Sequence, residues 1–521
     1  MGEFASLNHY NRKRRKRGLI EKKMILELYT LIPAILLFFG LFWSIAYPDT
    51  SYRRKILLAL STISLIFNTF NLTIFILFNL QSTDFYMNLN SGTILALEII
   101  LGLGYIALNF SKDEIRGFSN EHIFDSLLLV IILCLIGAAV TTNLVAITAF
   151  FAIILISLSI IFYFGHYLKP YELLAQFYIM IFIGITCVLV GVILTFLETN
   201  SLLLTEIAEA EFNAFTRLII SLLFFIGLGL PCGILPFTLK RYYQDASFTA
   251  FFTYALLVIP QFTLILNKLL VKISFDSFLN SLFIVIIATI GLIICLIHTL
   301  TETFTSLDGR SYSIKKIIGY SINSDFNIVL LTSAYIGLLP SDLLSTELWN
   351  YTFLFVFIFV FVKALLIYSL KPVVIETLDD NIKVLGGFFK NYKVFGISYL
   401  ISGLLFSVPF MLGSMLLDLV LPITTNSVLN LPHISFIGFT IVTIIVCYFI
   451  ITLIWISITF NDIFFGTEKH FKHKEVRKIN KVDYIPQIIL LGFIAFLCLF
   501  YLLSSDLFLQ ILNYFNQNFI S

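Results

Sequence analysis

Runs of about twenty apolar residues recur along almost the whole chain, and no other feature constrains its fold as strongly. A helix rises about 1.5 Å per residue, so roughly twenty residues span the hydrocarbon core of a bilayer with every backbone hydrogen bond closed inside the segment. Of the 521 residues, 59% are apolar and 12% are charged. A water-soluble domain carries about 25% charged residues because its surface must be wetted. Most of the outer surface of this chain therefore faces lipid.

On that rule the sequence divides into about fourteen spans, near 28–46, 55–80, 93–110, 124–142, 143–165, 172–197, 214–235, 247–270, 278–300, 313–338, 348–370, 391–421, 433–461 and 484–504. Two places are soft. Two spans nearly touch at Thr141-Thr142-Asn143, and Pro231 and Pro236 interrupt the region 214–246. The expected fold class is an all-α polytopic membrane protein. It has a basic N-terminal tail at 1–27, a transmembrane domain at 28–504 and a short amphipathic C-terminal tail at 505–521.

Charge supports the count. One face of a membrane protein carries most of the Lys and Arg, and alternate connections share a face. Connections after odd-numbered spans hold Arg53, Arg54, Lys55, Lys112, Arg116, Lys240, Arg241, Lys315, Lys316, Lys390 and the run from Lys469 to Lys481. The opposite connections hold Lys268 and Lys272 together with Glu198, Glu206, Glu209 and Glu211. The basic face is expected in the cytoplasm or matrix, with both termini opposite. The run from Arg12 to Arg17 then lies on the other side, where binding to anionic lipid or to a neighbouring subunit suits it better than a targeting role.

Several function classes drop out. A net charge of +2 gives no reason to expect nucleic acid. There is no Gly-rich phosphate cradle, no nucleophile elbow and no His/Glu spacing for zinc, and the six cysteines stand singly in apolar runs. No catalytic, cofactor-binding or metal site is expected. What remains informative is ionisable residues at span depth, which are costly there unless paired or wetted. Glu98, Asp325, Lys363 and Asp418 are the candidates for proton transfer, and His298 with Glu302 closes the ninth span near the interface. Lys363 either snorkels or stays buried. Asp418 is expected to pair with a basic group, Lys363 being the cation at comparable depth, or to open onto a hydrated pocket.

Breaks in helices are the second clue. Pro231 and Pro236 disturb the seventh span and Pro409 the twelfth, because proline removes a donor and crowds the preceding turn. Paired breaks in two halves are a mark of inverted-repeat transporters.

Four segments carry a resemblance. Ser313-Ile-Lys-Lys-Ile-Ile-Gly-Tyr-Ser-Ile322 is similar to the Asn-Ile-Lys-Arg-Leu-Leu-Ala-Tyr-Ser-Ser span opening of the antiporter-like membrane subunits of respiratory complex I. Ser407-Val-Pro-Phe-Met-Leu-Gly413 resembles that family's Ser-Leu-x-Gly-Ile-Pro-Pro break. Leu235-Pro-Phe237 with Tyr243-Gln-Asp-Ala246 is similar to Val-Pro-Phe-His and Tyr-Gln-Gly-Ala, which points to NADH dehydrogenase subunit 2. Tyr171-Glu-Leu-Leu-Ala-Gln-Phe177 resembles Glu-Ala-x-x-Lys-Tyr-Phe. The resemblance implies fourteen spans in two inverted five-helix repeats, with broken seventh and twelfth helices. It also implies a non-redox subunit of NADH:ubiquinone oxidoreductase in the mitochondrial inner membrane, or in a bacterial plasma membrane. Partners would be other membrane-arm subunits and phospholipids such as cardiolipin. NADH, flavin, iron–sulfur clusters and ubiquinone would sit on other subunits.

Departures from that pattern bear on mechanism. The family's fifth-span glutamate falls on Ile154, its seventh-span lysine on Pro231, its eighth-span lysine on Ile259, its twelfth-span lysine or glutamate on Leu417, and the lysine of its Glu-x-x-x-Lys segment on Gln176. The expectation is a largely structural subunit with a degenerate proton channel. The alternative is a cation/proton antiporter, free-standing or multisubunit.

Overall fold

The architecture is a packed array of long helices. In a computed structural model of the chain, the described residues are 30–48, 52–78, 82–83, 88–89, 91–114, 121–164, 170–231, 233, 247–273, 278–307, 313–338, 356, 359–373, 386–407, 432–466, 484–492 and 494. The helices are α1 (Thr30–Ala46), α2 (Arg53–Phe78), α3 (Ser91–Glu114), α4 (Glu121–Val140), α5 (Leu144–Phe164) and α6 (Pro170–Thr199). They continue with the short α7 (Leu204–Glu209), α8 (Ala214–Gly229) and α9, a rod built from Phe248–Phe252, a π-helical turn Thr253–Val258 and Ile259–Ile273. The remainder are α10 (Phe278–Leu307), α11 (Ile314–Ile336), α12 (359–368), α13 (Lys393–Ser407), α14 (Pro432–Phe460, closing in a π turn Asn461–Phe465) and α15 (485–492). Among the described residues there is also a two-residue ladder, Ser82↔Leu89 and Thr83↔Asn88, and an isolated bridge Asn143↔Leu203.

Eight of these helices are long and apolar enough to cross a membrane, and α1, α8 and α13 are apolar but shorter. Phe182, Leu197, Leu279 and Phe436 stand at the outer surface, as side chains facing lipid do. The soft boundary at 141–143 is a true turn. The Asn143 side chain accepts from the backbone N–H of Val145 at 2.9 Å and so caps α5. Backbone bonds Leu144 N–H to Leu202 O and Leu204 N–H to Thr142 O, at 2.9 and 3.0 Å, tie this turn to the α6–α7 connection.

Among the described residues α11, with α9 and α12, is almost wholly interior. Nearly every residue of α11 is buried, including Ser321, Asn323, Ser324, Asp325, Asn327, Thr332 and Ser333. Surrounded by other helices, α11 meets no lipid, and polar residues are tolerable there if they find partners. Its most extensive packing is along the antiparallel α10, and α14 covers another side.

Two irregularities meet in the first half. Pro260 brings no N–H to the ladder of α9, and ahead of it the helix widens, with Ile259 N–H bonding to Tyr254 O in an i→i−5 register. α8 ends at Gly229, capped by Leu230 N–H to Ile226 O, and Gly233 beyond it takes φ 67°. The Tyr254 hydroxyl, aimed by the π turn, donates to Pro231 O at 2.5 Å. A Cβ on Gly184 of α6 would lie 2.6 Å from Pro231 Cγ and 2.9 Å from Gly227 O. Only glycine allows that crossing of α6 over the end of α8.

Candidate functional site

The site is built from three helices whose spacing brings its members to one point. On α11, Ser321 and Asp325 are four residues apart and share a face. On α12, Phe359 and Lys363 do the same. On α14, Tyr448 and Trp455 are seven apart, two turns along one stripe. Lys363 Nζ lies 3.5 Å from Asp325 Oδ2, and both side chains are 0% exposed. Lys363 also donates to Ser321 Oγ, and the Tyr448 hydroxyl donates to Asp325 Oδ1. The ammonium stands 5.3 Å from the Trp455 ring centroid and 5.9 Å from that of Phe359. Asp325 is eleven residues into α11, or roughly 16 Å along its axis, which is near mid-membrane depth.

The arrangement holds a carboxylate and an ammonium at a separation where a proton added to one is felt by the other. At an effective dielectric of about 20, unit charges about 4 Å apart interact by roughly 4 kcal/mol. Taking up or losing one proton therefore changes the local energy by an amount that can shift a helix or favour a second proton transfer. Tyr448 and Ser321 supply hydrogen bonds that keep the two groups in register, and the aromatic faces receive the ammonium without water.

The other candidate residues are elsewhere. Glu98 lies between α2 and α3, accepting from Asn68 Nδ2 and Thr69 Oγ1, both at 2.6 Å. Thr69 is exposed on the outside of the bundle, so this carboxylate stands at the rim of the α2–α3 contact. Pro231 packs at the α6–α8 crossing described above. Asp418, Pro236, Pro409 and Leu417 lie outside the described residues. Ile154 and Ile259 are both 0% exposed, so apolar side chains fill those two positions.

A second charged cluster sits at the basic face. Arg53 Nη2 and Arg54 Nε each reach Asp125 Oδ2 at 3.1 Å, with Glu121 at 3.6 and 3.3 Å. Lys371 Nζ donates to Asn109 Oδ1 at 3.2 Å, joining the segment after α12 to α3. These bonds fasten helix ends.

Sequence reasoning singled out Asp325 and Lys363, and gave Asp418 either a basic partner such as Lys363 or a hydrated pocket; in the fold Lys363 lies beside Asp325, and Asp418 is outside the described residues. It missed Tyr448 and Trp455. The signal was present, since a phenol and an indole two turns apart in an otherwise apolar span are polar groups at membrane depth in need of partners.

The buried polar α11, the interrupted helices and the lipid-facing shell are those of a multi-pass membrane protein. No protein-family model and no curated protein matches the sequence. Among solved structures, the chain superposes on one from the membrane-bound sulfane sulfur reductase, an archaeal respiratory membrane complex. The TM-score is 0.70 at 17% identity, over 95% of this chain and 98% of that one. It also superposes on a chain of the Mrp complex from Dietzia sp. DQ12-45-1b, with TM-score 0.71 at 12% identity over 95% and 98%. At such identities the likeness establishes the fold. Both neighbours are chains of complexes.

Proposed function

We propose that this chain is an antiporter-like membrane subunit of a multisubunit energy-converting complex, and that Asp325 and Lys363 are its proton-handling site. One observation carries the reading: a carboxylate and an ammonium, both fully buried near mid-membrane and 3.5 Å apart. An apolar pair of similar volume generally packs as stably as a buried ion pair or better, so packing gives little reason for such a pair to be there. Ionisable residues inside a membrane bundle typically mark a pathway. In this reading the first half, with Ile154, Pro231 and Ile259 where the resemblance expects charge, is structural. The proton chemistry belongs to the second half, and the chain forms fourteen crossings in two inverted repeats. The subunit has no redox or other catalytic centre of its own, and the neighbouring subunits supply the driving reaction.

The test is Asp325→Asn in membrane vesicles carrying the assembled complex, with proton uptake followed by a pH-sensitive dye. Uptake is expected to fall severely while assembly persists; wild-type uptake in the assembled variant sinks the reading. Which complex houses the chain is a separate question. The resemblance to NADH dehydrogenase subunit 2 supports a complex I membrane arm in a mitochondrial inner membrane. The likeness to a chain of the Mrp complex favours a cation/proton exchanger in a plasma membrane equally well. Mass spectrometry of the native complex decides: NADH-oxidising subunits support the first, and a set of small exchanger subunits the second.

A further inference from the structure

α10 carries a row of titratable side chains that the ion pair itself does not use. Cys295, His298 and Glu302 are three and four residues apart, so they follow one stripe of the helix. That stripe lies against α11, the partner with which α10 packs most extensively. The His298 and Tyr320 rings stack at 5.0 Å with an interplanar angle of 18°. Glu302 and Cys295 are both within electrostatic reach of the Tyr320 hydroxyl, and Cys295 is within reach of Asp325. Glu302 is 9% exposed and five residues from the end of α10, the end that leads into the basic connection of Arg310, Lys315 and Lys316. Tyr320 is one and a half turns before Asp325 on α11, and His298 is half-buried beside it. The row therefore steps inward from the basic face, with Cys295 in reach of both Tyr320 and Asp325.

We infer that Glu302, His298 and Tyr320 form the proton access route from the basic face to Asp325. The inference rests on the reading of Asp325–Lys363 as the proton-handling pair. Glu302 or His298 takes a proton from the aqueous side, and the Tyr320 hydroxyl passes one on as it receives one. The carboxylate of Asp325 ends protonated. Lys363, left without its counter-charge, is then the group that releases a proton onward. The groups facing Asp325 are Lys363 from α12, Tyr448 from α14, Cys295 from α10 and Ser321 on its own helix, and all four are buried. A carboxylate, an imidazole and a phenol are side chains whose protons exchange readily, and their order here matches a path inward.

The experiment uses the assembled complex in vesicles and infrared difference spectroscopy of the Asp325 carboxyl band after a pH jump on the basic side. Asp325→Asn identifies the band. His298→Phe preserves the ring stack and Glu302→Gln the shape, and each is expected to slow appearance of the band at least about tenfold. A diffusible weak acid such as hydrazoic acid should restore the rate in both, because it carries protons past the blocked steps, and Glu302→Asp should behave as wild type. Unchanged rates in both blocking variants overturn the route alone. Slowed rates that the weak acid does not restore also overturn it, since that marks a damaged bundle. A wild-type complex with no Asp325 band at any pH overturns the proton-handling pair itself, and the route falls with it.

Discussion

Asp325 and Lys363 illustrate why one buried charge is rarely found without another. Removing either partner leaves a bare charge in an apolar interior, a change that costs roughly 3–5 kcal/mol, whereas replacing both by apolar residues is often neutral. Lys363→Met alone should therefore lower assembly yield or the melting temperature of the complex. The double change Asp325→Leu with Lys363→Met should recover most of that loss while proton uptake stays low. A thermal-shift assay on the solubilised complex beside the uptake assay reads both. A double variant as unstable as the single one would show that the pair is not coupled. The Asp325–Lys363 pair was half legible in the sequence. Both residues stand out as charges at span depth, but the pairing depends on how α11 and α12 are placed, and nothing in a linear sequence ranks Asp325 above Asp418. Tyr448 was visible as a phenol at membrane depth in need of a partner, but which partner it meets depends on how α14 lies against α11.

Helices were more legible than their defects. Each apolar run predicted a helix, because hydrophobicity and length act locally, and Asn143 marks the start of α5 by an ordinary cap. The π turn of α9 was not legible. Pro260 signals a disturbance, but whether a helix kinks, breaks or widens depends on what its neighbours offer, here the Pro231 carbonyl at the end of α8. Two variants test that junction. Tyr254→Phe removes the hydroxyl that donates to Pro231 O at 2.5 Å and leaves a buried carbonyl short of a partner, a loss of about 1–3 kcal/mol. Gly184→Leu drives a side chain into Pro231 Cγ and Gly227 O, and overpacking of this kind typically costs about 1–3 kcal/mol. Both should lower the melting temperature, with Asp325 protonation kinetics in the surviving protein unchanged if the first half is structural. Loss of Asp325 protonation in Tyr254→Phe would show that the two halves are coupled through α9.

At the scale of the whole molecule, the sidedness of the chain follows from charge, and the fold gives it places to be measured. Arg53, Arg54, Glu121, Asp125 and Lys371 gather at one end of the bundle, where ion pairs fasten helix ends beside the connections rich in Lys and Arg. The short α7, with Thr205 and Glu206 exposed, belongs to a connection of the opposite set. Positively charged connections are retained on the side from which a membrane protein inserts, so the two ends are expected to face different compartments. Single cysteines at Thr205 and Lys390, both exposed, in a chain whose native cysteines are replaced, provide the test. In sealed vesicles of known orientation, a membrane-impermeant maleimide should label one position from outside and the other only after the membrane is opened. Lys390→Cys is expected on the cytoplasmic or matrix side. Labelling of both from one side would mean an even number of crossings between residues 205 and 390, where opposite faces require an odd number. That would move Glu302 to the wrong aqueous side for the access route inferred from the α10 stripe.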